Sequence, residues 1–488
     1  PRAMAPGCGA LMDVARLALP TMGMYLLLMG AETISLVFLG RLPGSTAEEI
    51  AGFGMGNLVY NCAALAVGFG FTSSQDTLVT QARGRGDLHL CRLYFHQCQV
   101  WMVGLFAICA CLVGSTEQLL LLLRATDAQT AAHAGQYARL TTAGLFGTFQ
   151  YSALRKFAMA NRDANAGLFV QCVSVPVHAV LCFFLVPGRR ICGVGIAMAI
   201  KGWADFGLLA LWVSVLHRKP AYRGWWRCWT ALGGERAAAG MLAYLRLAVP
   251  CVLMLVAEWW SWELLGLLVG YLRSPAVLAA HVTAANISSI LYLSGTGASK
   301  AGSTLAGAAV GRTDEAGAKA VLRGAVCWNV LCGIGFGALV VVFRWPIATL
   351  YNPGHADVQS ALASLAPYMA AQGFLDGLNQ GIQGVLFGFG MQATASKVSM
   401  FCYWIVMMPL SWLLGFPAAL GVHGVWLGLV ASSAVALAFN AVLYRRTSFA
   451  SVAATAALRM DLDGCREPAP YRRAAPGVAP RRSPLERA

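Results

Sequence analysis

The sequence is poor in charge, and poorest in acid: Asp, Glu, Lys and Arg make up 12% of its 488 residues, with 21 acids against 36 Lys and Arg. Soluble domains carry about 25% charged residues, and together with a mean hydropathy of +0.62 this excludes a water-soluble globular protein. The chain belongs in a bilayer. Paired CxxC arrays are missing as well. The 15 Cys are scattered, several inside apolar runs (Cys109, Cys111, Cys172, Cys182, Cys332), so free, buried thiols are expected rather than a metal site or a disulfide frame. HxxxH and His-acid repeats are absent from the apolar runs, which argues against a membrane-bound enzyme. His178, His281 and His423 stand singly, where packing or an interhelical hydrogen bond is the simpler use. No cleavable signal-peptide pattern precedes the first apolar run, so insertion is expected to rely on that helix.

The apolar runs themselves are abundant. A spanning helix needs about 20 mostly apolar residues, and such runs fall near 15–39, 50–73, 94–114, 134–158, 166–186 and 193–216, then near 242–272, 276–299, 321–343, 361–389, 395–416 and 420–443. The reading is an all-α membrane protein of about twelve transmembrane helices. The net charge of +15 would suggest nucleic acid in a soluble chain, but the basic residues concentrate in loops and the tail. Arg83, Arg85, Arg92, Arg155, Lys156, Arg162, Arg312, Lys319, Arg323 and Lys397 lie at or near connections after even-numbered helices. By the positive-inside rule those connections, and both termini, are cytoplasmic. Arg41, Arg124, Arg189, Arg190, Arg273 and Arg344 are the exceptions.

An internal repeat divides the chain. RLALP (Arg16–Pro20) recurs as RLAVP (Arg246–Pro250), with a Gly 20 residues beyond each Pro at Gly40 and Gly270. GFGFTSSQDTLVTQARG (Gly68–Gly84) aligns with SGTGASKAGSTLAGAAVG (Ser294–Gly311), setting Gly70 on Gly297, Thr77 on Thr304 and Gly84 on Gly311; Gly195 likewise falls on Gly424. An even number of helices per half makes the repeat parallel, with its axis along the membrane normal. The expected organisation is an N-terminal tail (1–12), a first six-helix lobe (13–216), a cytoplasmic linker (217–240), a second pseudo-symmetric six-helix lobe (241–445) and a disordered cytoplasmic tail (446–488). Pro20, Pro176, Pro250 and Pro409 mark places where helices can bend.

Ionisable groups inside such helices are costly and usually functional. In VAEWWSWELLGLLVG, Glu258 and Glu263 are five residues apart, about 500° around a helix, hence about 140° apart in projection. One can face a cavity while the other faces a neighbouring helix. Asp376 lies in a later apolar span beside Asn379 and Gln380, which offer it hydrogen bonds. Asp76, near the cytoplasmic end of its helix, reads as paired with Arg83 or Arg85. Lys156 is a candidate partner for Glu32. Lys201 and Asp205, at (i, i+4), can neutralise one another. A Trp face attracts organic cations, so Trp259 or Trp260 is a cavity-lining candidate.

At these residues the chain resembles the multidrug and toxic compound extrusion (MATE) family, its eukaryotic branch in particular. The resemblance rests on RLALP with Gly40, on Asp76, Thr77, Leu78 and Gln81, on the Glu258–Glu263 stretch, and on DGLNQGIQGVLFGFGMQ (Asp376–Gln392), and it spans roughly 13–445. It implies two bundles across a central cavity, alternating access, and export of organic cations, xenobiotics or secondary metabolites in exchange for protons, sodium being the lesser expectation; no cofactor is implied. The resemblance assigns Glu258, Glu263 and Asp376 to proton coupling and substrate binding. Asn61, Asp76, Gln81, Trp259, Trp260, Asn286 and Tyr292 are secondary candidates. Asn286 stands where animal relatives often have Glu, and Phe387 where plant relatives often have Arg. The partners expected are a small organic cation or amphipathic metabolite and the lipid of a plasma, vacuolar or other organelle membrane, with no nucleic acid, and the chain is expected to act as a monomer. Two other readings remain: a flippase of lipid-linked saccharides, which would suit a cavity lined by Arg and Lys, and a transport-dead receptor or scaffold.

Overall fold

The computed structural model describes residues 6–43, 45–124, 126–217, 219–227, 235–351 and 356–464, and among these it is almost wholly helical. The first lobe contains α1 (Pro6–Gly40), α2 (Ala47–Tyr60), α3 (Ala66–Thr72), α4 (Gln75–Arg85), α5 (Leu88–Gly114), α6 (Thr116–Leu122), α7 (Ala128–Ala160) and α8 (Asn165–Leu211). The second contains α9 (Glu235–Gly270), α10 (Pro275–Gly311), α11 (Glu315–Val342), α12 (Arg344–Tyr351), α13 (Ala356–Gly388), α14 (Gln392–Met400), α15 (Met408–Gly415) and α16 (Gly421–Arg446), followed by α17 (Phe449–Gly464).

Nine stretches of the described residues are long and apolar enough to cross a membrane, one of them the run Asn165–Leu216. That run makes two crossings, because Arg190 (φ 53°, ψ −130°) breaks α8 and reverses the chain. The α7 and α13 helices are 33 residues each but richer in polar residues, and they complete the twelve. α2, α3 and α4 form one bent crossing through a π-helical turn at Asn61–Leu65, and α14 and α15 form another through a π-helical turn at Phe401–Met407. Such turns displace side chains from regular helical positions and recur at functional sites.

Local chemistry starts the helices where the connections end. Thr46 and Glu49 form a reciprocal capping box on α2, and Asp87, Asp127 and Asp314 accept from the first-turn amides of α5, α7 and α11, satisfying donors that a helix start leaves open. Glu49 also binds Arg190 at 2.5 Å. This gives one of the exceptional basic residues a local partner.

The repeat is visible as packing. α1 runs against α10 and, reciprocally, α3 against α9, so the first crossing of each lobe contacts the second crossing of the other. A Cβ on Gly70 would come within 2.6 Å of Val252 Cα, and one on Gly297 within 2.9 Å of the Ala18 carbonyl; small residues there let the backbones meet. The short helices α6 and α12, after the third and ninth crossings, are a further repeated feature that hydropathy alone did not reveal.

Two expectations change. Residues 446–488 were expected to be disordered, but α17 is a packed helix: Ala456 and Met460 are buried, Phe449 meets Phe389 with ring centroids 5.9 Å apart, and Asp461 pairs with Arg85 at 2.5 Å. Residues 465–488 and linker residues 228–234 lie outside the described residues. Among the described cysteines all are free, but Cys111 and Cys172 are exposed on the apolar outer face, and only Cys91, Cys98, Cys109, Cys182, Cys251 and Cys402 are buried.

Candidate functional site

Between the lobes lies a cavity of about 400 Å³ walled by α1, α2, α7 and α8 on one side and α9, α10 and α13 on the other. At the end of the molecule bearing Arg83, Arg85, Arg162 and Arg312, here called the basic end, the lobes are locked together. Gln81 Nε2 donates to the Gly388 carbonyl at 2.9 Å, the Thr77 hydroxyl donates to the Phe387 carbonyl, and Gln392 donates to the Thr77 hydroxyl and to the Phe387 carbonyl. Two of the sequence stretches that carried the resemblance, one from each lobe, therefore meet here. Gln81 belongs to this lock rather than to the cavity wall.

The α9 helix contains Pro250 and carries Glu258 into the cavity wall, nine-tenths buried. Tyr292 Oη donates to Glu258 Oε1 at 2.9 Å, and Tyr403, on the π-helical turn Phe401–Met407, lies close enough to Glu258 to influence its charge. Asp376 on α13 is buried behind the wall. Gln380 Nε2 donates to its Oδ2 at 2.8 Å, and Gln380 Oε1 in turn accepts from Thr296 at 3.1 Å. The two carboxylates are near enough to interact through their charges. Neither forms an ion pair among the described residues; their hydrogen-bond partners there are a neutral hydroxyl and an amide.

Glu263 does not join them. It lines the same cavity but is solvent-exposed, on the wall facing Cys62 of the first lobe. Both Glu side chains of α9 thus reach the cavity, because it is wide enough to take in positions well apart on one helix.

The secondary candidates separate clearly. Trp259 and Trp262 line the cavity, with Trp259 edge-on to Phe69 across the lobes at 6.3 Å, whereas Trp260 is not among the lining residues and is 47% exposed on the outer surface. Asn61 lines the cavity from its π-helical turn, and its Oδ1 is a buried acceptor left open. Asn286 is exposed and occupied with the Val282 carbonyl at 2.9 Å, away from the cavity. Glu32 lines the cavity but accepts from Asn57 at 3.0 Å rather than from Lys156.

Asp76 pairs with neither Arg83 nor Arg85. Its Oδ2 takes Lys156 Nζ at 2.7 Å and, from the other lobe, Lys300 Nζ at 3.5 Å. Lys201 does pair with Asp205 at 2.7 Å and also donates to Gln171 at 2.9 Å. His178, His281 and His423 serve packing or an interhelical hydrogen bond: His178 bonds Ser35 at 2.9 Å, His281 packs on Trp426, and His423 on Tyr368.

One expectation is reversed outright. No basic lining was evident along the sequence, yet Arg155, Lys156, Lys201 and Lys300 all line the cavity. Lys300 had a legible signal, a lone Lys in the small-residue run GTGASKAGS. Tyr403, near Glu258, had none.

The MatE family model matches residues 20–184 and 250–413, one segment in each lobe. The chain belongs to the MatE family. It is 28% identical over 428 residues to Protein DETOXIFICATION 16 of Arabidopsis thaliana, covering 85% of this chain and 84% of that protein. It is also 28% identical over 460 residues to the probable multidrug resistance protein NorM of Rhizobium meliloti, covering 90% and 94%. The crystal structure of the eukaryotic MATE transporter AtDTX14 superposes with a TM-score of 0.85 at 22% identity, covering 93% of this chain and all of that one. This MatE protein is accordingly a multi-pass membrane transporter of the multidrug and toxin extrusion type and not an enzyme, with two six-helix lobes.

Proposed function

We propose that this MatE chain exports organic cations or cationic amphipaths in exchange for protons, with Glu258 and Asp376 as the exchanging pair and Glu263 as an outer electrostatic guide. The observation that carries the reading is that, among the described residues, both buried carboxylates have neutral hydrogen-bond partners only. A carboxylate in such surroundings is poised between binding a proton and binding a cation. Tyr292 and Gln380 hold each group in place in either state, since a phenol can donate to the carboxylate or accept from the acid, and an amide offers both donor and acceptor.

Trp259 and Trp262 supply aromatic faces for an organic cation. The lock closes the basic end of the cavity, and the positive-inside rule puts that end in the cytoplasm. Export then requires the Gln81–Gly388 lock to open while the far end closes.

The test is uptake of a fluorescent organic cation into proteoliposomes under an imposed pH gradient, and separately under a sodium gradient. Accumulation with the pH gradient alone is expected. Accumulation that needs sodium, or none under either gradient, overturns the reading.

A further inference from the structure

The first-lobe wall of the cavity carries a charge that the exchange of cations for protons does not use. Arg155, on α7, is buried, and its guanidinium donates to Tyr25 Oη at 3.2 Å and approaches Met24 Sδ at 3.7 Å. Around it stand the rings of Tyr25, Phe69 and Tyr151, with centroids 5.3, 5.8 and 5.9 Å from its central carbon. No carboxylate pairs with it among the described residues. The nearby acid, Asp76, already accepts Lys156 at 2.7 Å and Lys300 at 3.5 Å. Three cations thus share one carboxylate where uncompensated charge is expensive, and a guanidinium carries several donors in a fixed fork suited to planar oxyanions.

We propose that Arg155, with Lys300 beside it, is an anion-binding subsite of the central cavity, and that this MatE protein takes aromatic substrates bearing a carboxylate or sulfate as well as a cationic centre. The anionic group sits at Arg155 among the three aromatic rings. The cationic part lies toward Glu258 and the Trp259 face on the other lobe, so the substrate bridges the two lobes. This inference rests on reading the cavity as the transport site.

A matched pair of probes tests it: a rhodamine with a free carboxylate and the same dye as its methyl ester, their binding to the purified full-length protein followed by fluorescence anisotropy. Wild type should bind both. In Arg155→Gln the free carboxylate dye should weaken about tenfold or more, as expected for the loss of a charge-assisted hydrogen bond, and the ester by much less, so that the ratio of the two affinities shifts. Arg155→Lys should restore most of the ratio. If Arg155→Gln is not recovered folded, Lys300→Gln is expected to shift the ratio the same way. Equal weakening of both dyes, an unchanged ratio, or binding of the ester alone by wild type overturns the subsite while leaving cation export standing. Failure of wild type to bind either dye removes the transport-site reading along with it.

Discussion

Gly84 and Gly311 lie backbone to backbone across the lobe interface, each occupying in its own lobe the position the other occupies in the repeat. A Cβ on Gly84 would stand 2.3 Å from the Ala308 carbonyl oxygen, and one on Gly311 would stand 2.0 Å from that of Gln81. Residues 81 and 308 are themselves equivalent in the repeat, so the contact is reciprocal, as at a two-fold axis. It closes the basic end by direct approach of α4 and α10.

Gly311→Val should push the two helices apart. Backbone atoms cannot swing aside as flexible side chains do, and overpacking of this kind costs about 1–3 kcal/mol. The expected outcome is a lower melting temperature in detergent, together with faster thiol labelling of a cysteine placed at Thr77 in a cysteine-depleted background. Unchanged stability and labelling would contradict a tight closure at this point.

Glu258→Gln and Asp376→Asn should each leave the protein inserted and folded but reduce gradient-driven transport by at least about tenfold, because the amide keeps the shape and loses the exchangeable proton. Tyr292→Phe should have a smaller effect in the same direction. Normal transport by a properly inserted Asp376→Asn variant would remove that residue from the exchange.

Asp76→Asn tests the buried pairing at the lobe interface. Removing the acid strands Lys156 and Lys300, and breaking a buried ion pair from one side typically costs about 3–5 kcal/mol. A marked loss of detergent stability is expected, and the double variant Asp76→Asn, Lys156→Met should recover part of it. A stable single variant would show that water already reaches these charges.

A pH effect on the linker follows from Asp163, which lies between α7 and α8 outside the spans. Its Oδ2 accepts from Tyr222 at 2.7 Å, His217 at 2.8 Å and Trp212 at 3.2 Å, with Lys219 at 3.5 Å. Burial by itself raises its pKa, but the hydrogen bonds from Tyr222 and His217, the Lys219 charge and the Trp212 bond together hold the carboxyl below its ordinary value. A lowered folded-state value means that the stabilisation is present above the unfolded pKa of about 3.9 and is lost as pH falls through the lower folded one. At neutral pH, Asp163→Asn should therefore expose the linker, and trypsin cleavage at Arg223 should speed up; wild type should keep its protection down to about pH 4. Equal cleavage of the two proteins would show that Asp163 does not hold the linker.

Proton coupling gives a further outcome in vesicles. At constant sodium, changing the outside pH should change the rate, whereas replacing sodium by potassium at constant pH should leave it unaltered. A sodium requirement would instead point to the oxygen-rich cluster around Glu258, Tyr292 and Tyr403 as a metal-ion site.

Twelve crossings in two halves could be read directly from the sequence, because a bilayer demands long apolar helices and the RLALP and RLAVP repeat is followed by a second one that pairs Gly70 with Gly297 and Gly84 with Gly311. The same solvent argument singled out Glu258, Glu263 and Asp376. Partner choice was a different matter. Asp76 had Arg83 and Arg85 within about two and a half turns, but those side chains lie toward the polar end of α4, and its partners come from α7 and α10, 80 and 224 residues away. The helix α17 carries Phe449, Val452, Ala456 and Met460 on one face, a signal outweighed by the Arg- and Pro-rich residues that follow. Only the tertiary structure could turn Trp259 inward and Trp260 outward, bring Tyr403 close to Glu258 and leave Arg155 without a paired carboxylate among the described residues. Each of these depends on the rotation of a helix against a neighbour far away in the chain, and hydropathy, which fixes that a helix spans, does not set that rotation.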